Sequence, residues 1–266
     1  MGGEQFDAVV VGSGHNGLAA AIVLAQAGLS VAVYEARETI GGGARTAELT
    51  LPGFRHDICS AIHPMAAGSP FLNTLPLADH GLRWIHPDLP LAHPLDDAPA
   101  VLIARDIEES CESLGEDAAR YRKLVSPFAA RWEELAEDAL APLGFPRSPL
   151  LMGKFGLKAL KSLSSLAKGF QEPRTKALWA GQGAHAVLPL DVSPSAAIAF
   201  LLQTAAHAVG WPLPQGGSQA IVEAMASLLR EEGGVIHTGV RVENIDALPT
   251  TGPILLEVSP SSLSEI

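Results

Sequence analysis

The stretch that most constrains this chain lies near its start: FDAVVVGSGHNGLAAAIVLAQAGL, Phe6 to Leu29. Phe6 to Val11 is a short β-branched run closed by glycine, the pattern of a buried parallel strand. GSGHNG then sets glycines at 12, 14 and 17, and the Ala-rich apolar run behind them predicts a helix that Gly28 ends. Strand, glycine loop and helix in this order form a dinucleotide-binding corner. Gly12 permits the tight turn, Gly14 lets a pyrophosphate approach the backbone, and Gly17 lets the helix pack on the strand. The N–H groups and dipole at the helix start favour phosphate, with Ser13, His15 and Asn16 completing the loop.

A second strand, SVAVYEA, ends in Glu35, 18 residues past Gly17. A carboxylate there accepts hydrogen bonds from an adenosine ribose. Two strands, a helix and an acid in register argue against an ordinary turn. NAD and FAD both present a ribose and a pyrophosphate, so the choice stays open here. The stretch EARETIGGGART, Glu35 to Thr46, bears on it. Gly41, Gly42 and Gly43 suit a backbone that passes close to a ligand. A fold that binds only NAD has no evident need for them, whereas the extended pyrophosphate of FAD can be contacted from a second side.

GSGHNGLAAA, IGGGART and LPGFRHDICS together resemble the phytoene desaturase and carotenoid isomerase-like branch of the amine-oxidase-like FAD superfamily. PLPQGGSQAIVEAMASLLREEGGVIHTGVRVENI, Pro212 to Ile245, is similar to the family segment that returns the chain to the flavin domain. By its own pattern this segment is a helix with Ile221, Met225, Leu228 and Leu229 on one face, followed by a strand pair. The resemblance implies FAD as cofactor. It implies Gly12, Ser13, Gly14, His15, Asn16 and Gly17 at the pyrophosphate, Glu35 at the ribose, and Ala36 and Arg37 beside the adenosine. Gly41, Gly42, Gly43 and Ala44 would form the second phosphate wall, and the backbone at Val242 would meet the adenine. Gly43 is a departure, because the family commonly has a diphosphate-binding Arg there; Arg45 is the nearest candidate to replace it. The segment with Asp57, Cys59 and Ser60 leads, in that family, toward the isoalloxazine ring.

The expected fold class is α/β: a Rossmann-like FAD-binding domain, a parallel sheet with helices, carrying an inserted and mainly helical substrate or cap region. Residues 1–74 and 212–266 form the FAD-binding segments and 75–211 the insertion. Around Glu116 to Leu143, Leu124, Phe128, Leu135 and Leu140 recur as on surface helices. Relatives run to roughly twice this length, so their C-terminal part is expected to be absent, and the ending LEVSPSSLSEI shows no family feature. Across Met152 to Phe170, Lys154, Lys158, Lys161 and Lys168 fall on one side of a helical wheel. Leu160, Leu163, Leu166 and Phe170 fall on the other. Such a helix suits peripheral contact with an anionic membrane, or a solvated face over the insertion's own core.

Lys and Arg number 18 against 29 Asp and Glu, a formal charge of −11 that excludes a general nucleic-acid binder. Cys59 and Cys111 have neither metal-site nor disulfide-framework spacing, so no metal is expected and a reduced, cytoplasmic setting is. Glu4 and Asp7 precede the first apolar run, unlike a secretory signal. The uncharged span Val192 to Val222 is broken by proline and glycine and predicts a buried helix followed by a loop. His56, His63 and His185 suit a flavin pocket, but a single His among apolar residues is more often an ordinary structural group.

The resulting expectation is an FAD-dependent oxidoreductase that moves a hydride from a C–H bond of a small, apolar substrate to the flavin, with no catalytic residue assigned. The alternatives are an NAD(P)-dependent dehydrogenase and a non-catalytic, partner-binding piece of a flavoprotein.

Overall fold

The computed structural model describes residues 5–142, 144–264 and 266, in two compact units. The first comprises 1–62, 75–85 and 213–266, and the second 63–74 and 86–212. The crossings thus differ from boundaries at 74 and 211: 63–74 belongs with the helical unit and 75–85 with the sheet unit.

The sheet unit begins with β1 (Ala8–Val11), α1 (His15–Gln26) and β2 (Val31–Tyr34). A hairpin of β3 (Thr46–Glu48) and β4 (Arg55–Asp57) follows. The returning segment supplies α2 (Gln219–Glu231), β5 (Val235–His237) and β6 (Ile254–Leu256). The sheet runs β6-β1-β2-β5, all parallel, with Val9 opposite both Ala32 and Ile254, and Ala32 opposite Val235. All four residues of β1 are buried, because a parallel strand is covered on both faces. Val9 and Val11 point to one face with Ala32, and Val242, Leu248, Ile254 and Val258 pack there. α1 packs on α2. The buried stripe of α1 is Leu18, Ala21, Ile22 and Ala25, and that of α2 includes Ile221, Met225, Leu228 and Leu229.

Two expectations change here. VIHTGVRVENI holds one strand, not two: Gly239 at φ +70° turns the chain, and the N–H groups of Gly239 and Val240 donate to the carbonyls of Arg37 and Glu35 at 2.8 and 2.9 Å. That segment is therefore laid across the end of β2. The second strand comes later, as β6, so the tail that showed no feature in sequence joins the sheet beside β1.

The helical unit packs around the helix Ala196–Ala208, which meets helices Ala118–Ala129, Pro149–Ala159 and Pro173–Ala184. Its core is aromatic: the Phe200 ring lies 5.1 Å from Phe128 and 5.0 Å from Phe155, with Trp179 and Tyr121 fully buried. Leu124, Phe128 and Leu135 are buried as expected, but Leu140 is exposed after the helix Trp132–Ala139 ends; Leu143 lies outside the described residues. Among the described residues no helix is long and apolar enough to cross a membrane.

The single amphipathic helix over 152–170 is replaced by two helices, Pro149–Ala159 and Leu163–Ala167. Ser162 caps the second by accepting the Ser165 N–H, which ends the first turn register there. Leu163, Leu166 and Phe170 turn inward, whereas Leu150, Leu157 and Leu160 are 82%, 72% and 69% exposed. Of the four apolar positions expected opposite the lysines, Leu160 is thus the one left exposed, and Leu150 and Leu157 are exposed with Lys154.

Candidate functional site

At the end of β1 the chain turns at Gly12, φ +102°, whose N–H donates to the Tyr34 carbonyl at 2.8 Å. Gly14 then stands at the N-cap of α1 and has no side chain to cap it, and no acidic residue occupies the first turn. The helix start thus presents backbone donors and positive dipole without a local anion of its own. A Cβ on Gly17 would meet the Gly12 carbonyl oxygen, so this glycine lets α1 pack against the turn that ends β1.

Glu35 is built into the loop from its other side. Its Oε2 accepts from the Ser13 N–H at 3.0 Å and the Ser13 hydroxyl at 2.7 Å, and Oε1 accepts the Arg37 N–H at 2.9 Å. Fixing the carboxylate at the C-terminal end of β2 leaves Oε1 with acceptor capacity for a further donor.

The glycine loop meets this corner closely. Gly41 donates its N–H to the Ser13 carbonyl at 3.0 Å, and a Cβ on Gly42 would lie 3.3 Å from the Gly14 Cα. Gly41 and Gly42 have φ of +117° and +55°, a conformation that suits glycine. Ala44 closes the turn by donating to the Gly41 carbonyl, and Arg45 Nε donates to the Gly42 carbonyl at 2.7 Å. The Arg45 guanidinium thereby braces the loop.

Between these pieces lies a cavity of about 290 Å³ lined by Gly12, Ser13, Gly14, His15, Glu35, Ala36, Gly42, Gly43 and Val242. Asn16, Gly17, Arg37, Gly41 and Ala44 support its wall without lining it. Tyr34 also lines it, stacked on His237 with 4.8 Å between centroids, and burial pushes its phenol above the usual range. Sequence reasoning missed Val240, Arg241, Glu257, Val258 and Ser259, which line it together with Val11, Ser262 and Ile266. Glu257, Val258 and Ser259 follow β6, whose three residues are too short to carry a periodic signal in sequence.

The other candidates stand elsewhere. Asp57 Oδ1 accepts from the Thr46 hydroxyl at 2.6 Å and the Ser218 N–H at 2.7 Å, tying the hairpin to the start of α2. His56 contacts Thr50, His185 is exposed, and His63 belongs to the helical unit. Cys59 is exposed and Cys111 buried; among the described residues no cluster suited to a metal occurs.

A dinucleotide fits these residues on three grounds: a helix start behind a glycine turn with no cap from its own N-cap residue, a fixed carboxylate at the end of β2, and a glycine loop too close to Gly14 for side chains at 42. The comparisons with known proteins agree. Residues 17–259 match the family described as flavin containing amine oxidoreductase. The zeta-carotene-forming phytoene desaturase of Myxococcus xanthus is 30% identical over 259 residues, 89% of this chain and 47% of that protein. One of the subunits of limonene dehydrogenase from Castellaniella defragrans is 33% identical over 143 residues, 52% of this chain and 25% of that protein. A putrescine oxidase variant of solved structure shares the fold with a TM-score of 0.54 at 23% identity, over 87% of this chain and 50% of that one. The chain spans about half the length of the relatives it matches over most of its own extent. The match to a flavin family sets aside the reading of an NAD(P)-only dehydrogenase.

Proposed function

The chain belongs to the flavin containing amine oxidoreductase family and its cofactor is FAD; on that premise we propose that it forms the dinucleotide-holding part of an oxidoreductase acting on an apolar hydrocarbon. The observation that carries the substrate class is the 30% identity, over 89% of the chain, to a protein named for desaturating phytoene. Bound FAD supplies the acceptor for a hydride leaving a C–H bond.

The chain's own residues do the holding. The N–H groups at the start of α1 and the backbone of Gly12, Ser13 and Gly14 receive the diphosphate, and Gly42 and Gly43 approach it from the opposite wall. Asn16 and Gly17 form the first turn behind it, with His15 at its edge. Glu35, held by Ser13 and the Arg37 N–H, turns its free acceptor capacity to the ribose hydroxyls. Ala36 and Val242 bound the adenosine end, while Gly41 and Ala44 set the loop's shape.

Membrane contact belongs to the same reading. Leu150, Leu157 and Leu160 are exposed beside Lys154, Lys158 and Lys161, a combination that suits the surface of an anionic bilayer from which an apolar substrate is drawn, on a chain kept in the cytoplasm.

The test is anaerobic mixing of the FAD-loaded chain with phytoene, limonene or a primary amine in micelles. Bleaching of the flavin band by a hydrocarbon alone supports the reading. Bleaching by the amine alone, or by none of the three, overturns it.

A further inference from the structure

The motif glycines are crowded by a residue from outside the motif. Glu257 follows β6, and its N–H donates to the Val11 carbonyl at 2.8 Å, continuing the parallel ladder one step past the strand. Its side chain consequently falls over the start of α1. A Cβ on Gly14 would lie 2.7 Å from both carboxylate oxygens, and one on Gly17 would lie 2.7 Å from Oε2. Oε1 accepts the Asn16 N–H at 3.2 Å, whereas Oε2 is buried without a hydrogen-bond partner.

A carboxylate therefore sits where a helix start behind a glycine turn favours an anion. That is also where a diphosphate has to sit, and two anions cannot share those donors. The charged or titratable side chains lining the cavity besides Glu257 are His15, Tyr34, Glu35 and Arg241, and Arg241 already has a partner. No side chain at 43 offsets the crowding, and Arg45 is committed to the Gly42 carbonyl. The orphaned Oε2 makes the carboxylate's seat an incomplete one, since a buried carboxylate oxygen without a donor is unfavourable.

We propose that Glu257 is an internal stand-in for the cofactor's diphosphate: in the flavin-free chain its carboxylate holds the anion position on α1, and it must swing out before FAD binds. Glu257 then sets FAD affinity by competition within one chain. The inference rests on the cleft being the FAD site.

The experiment is equilibrium binding of FAD, ADP and adenosine to the flavin-free chain and to its Glu257→Gln and Glu257→Ala variants. Flavin fluorescence quenching reads FAD directly, and displacement reads the other two. Removing the competing charge is expected to tighten FAD and ADP by about tenfold or more in both variants and to leave adenosine, which has no phosphate, unchanged. Two variants of different size separate loss of charge from loss of packing. FAD affinity equal to or weaker than that of the parent chain in both variants would overturn the proposal and leave the cleft's assignment standing. Equal tightening of adenosine would also overturn it, by pointing to a general opening of the cleft. Failure of all three chains to take up FAD would remove the cleft as the FAD site, and the proposal with it.

Discussion

The two units place their polar groups differently. In the sheet unit they gather at the C-terminal ends of β1, β2 and β6 and face an open cleft: Ser13 and Glu35 lock each other, and Glu257 keeps one oxygen unpartnered. In the helical unit they are drawn into the core, where some pair with one another and others, among them Thr175 Oγ1, Gln182 Oε1 and Gln203 Oε1, are buried without a partner. Tyr121 shares its hydroxyl with His207 Nε2 at 2.6 Å and receives the Gln203 amide, amid Trp179 and Phe200. The first arrangement places polar groups around a cleft, while the second encloses them among aromatic rings, where the paired ones help to specify one packing. This contrast says where ligand chemistry resides in the chain: at strand ends, where backbone donors cannot all be satisfied internally.

The largest expected effect is on the closed side. Phe200→Ala removes a ring packed between Phe128, Phe155 and Trp179 and should destabilise the helical unit by about 3–5 kcal/mol. Urea unfolding at constant m measures it, and a loss below about 1 kcal/mol would show that this core is looser than the ring contacts imply. On the open side, Glu35→Ala should weaken FAD binding by about 1–3 kcal/mol, the loss of charge-assisted hydrogen bonds. Isothermal titration with FAD decides it, and an unchanged affinity would take Glu35 out of the site.

The same contrast governs what could be read from sequence. β1, α1, β2 and α2 were legible because each combines a local apolar period with glycine punctuation, and the spacing of Gly12, Gly14 and Gly17 gains its meaning from the strands, helix and Glu35 in register around it. β6 was not, since three residues, Ile254 to Leu256, are too short to show a period and become a strand only by pairing with Val9 to Val11. Glu257 was lost with it. Around Leu160 the wheel failed for a different reason: it presumes one helix axis, and the Ser162 cap starts a new one. FAD was legible in Gly41 to Gly43, while the direction in which Arg45 points was not, because a carbonyl three residues away was the nearer partner.

A smaller effect tests the glycine wall itself. A Cβ at Gly43 would meet only the Cys59 Cβ, at 3.8 Å, and Gly43 is not among the glycines of positive φ. Gly43→Arg is therefore sterically free and adds the cation that the resembled family carries. It should tighten FAD binding by about 1 kcal/mol. Gly42→Arg makes the contrast, since its φ of +55° and the nearby Gly14 Cα penalise any side chain, and binding should weaken. If both variants tighten binding alike, the loop is not pressed against Gly14 and the close approach has to be abandoned.

The smallest effect returns to the closed unit and is read through pH. Burial pushes the His207 imidazole below its ordinary pKa of 6.5, so the folded chain holds the ring neutral while the unfolded chain takes up a proton at that pH. The unfolded state then binds more protons, and stability rises with pH across this window. His207's contribution is fully present above 6.5 and is lost as the pH falls through the depressed value. A hydrogen bond to the Arg105 carbonyl, the Asp106 charge and the Ala104 carbonyl oppose the shift. Thermal unfolding of the helical unit between pH 7.5 and 5, compared in the parent chain and His207→Gln, isolates it, because glutamine keeps a polar partner for Tyr121 but does not titrate. The parent should lose stability on acidification more steeply than the variant. Parallel slopes would mean that His207 is hydrated in the folded chain, and the helical unit would then hold a polar opening of the kind found at the strand ends.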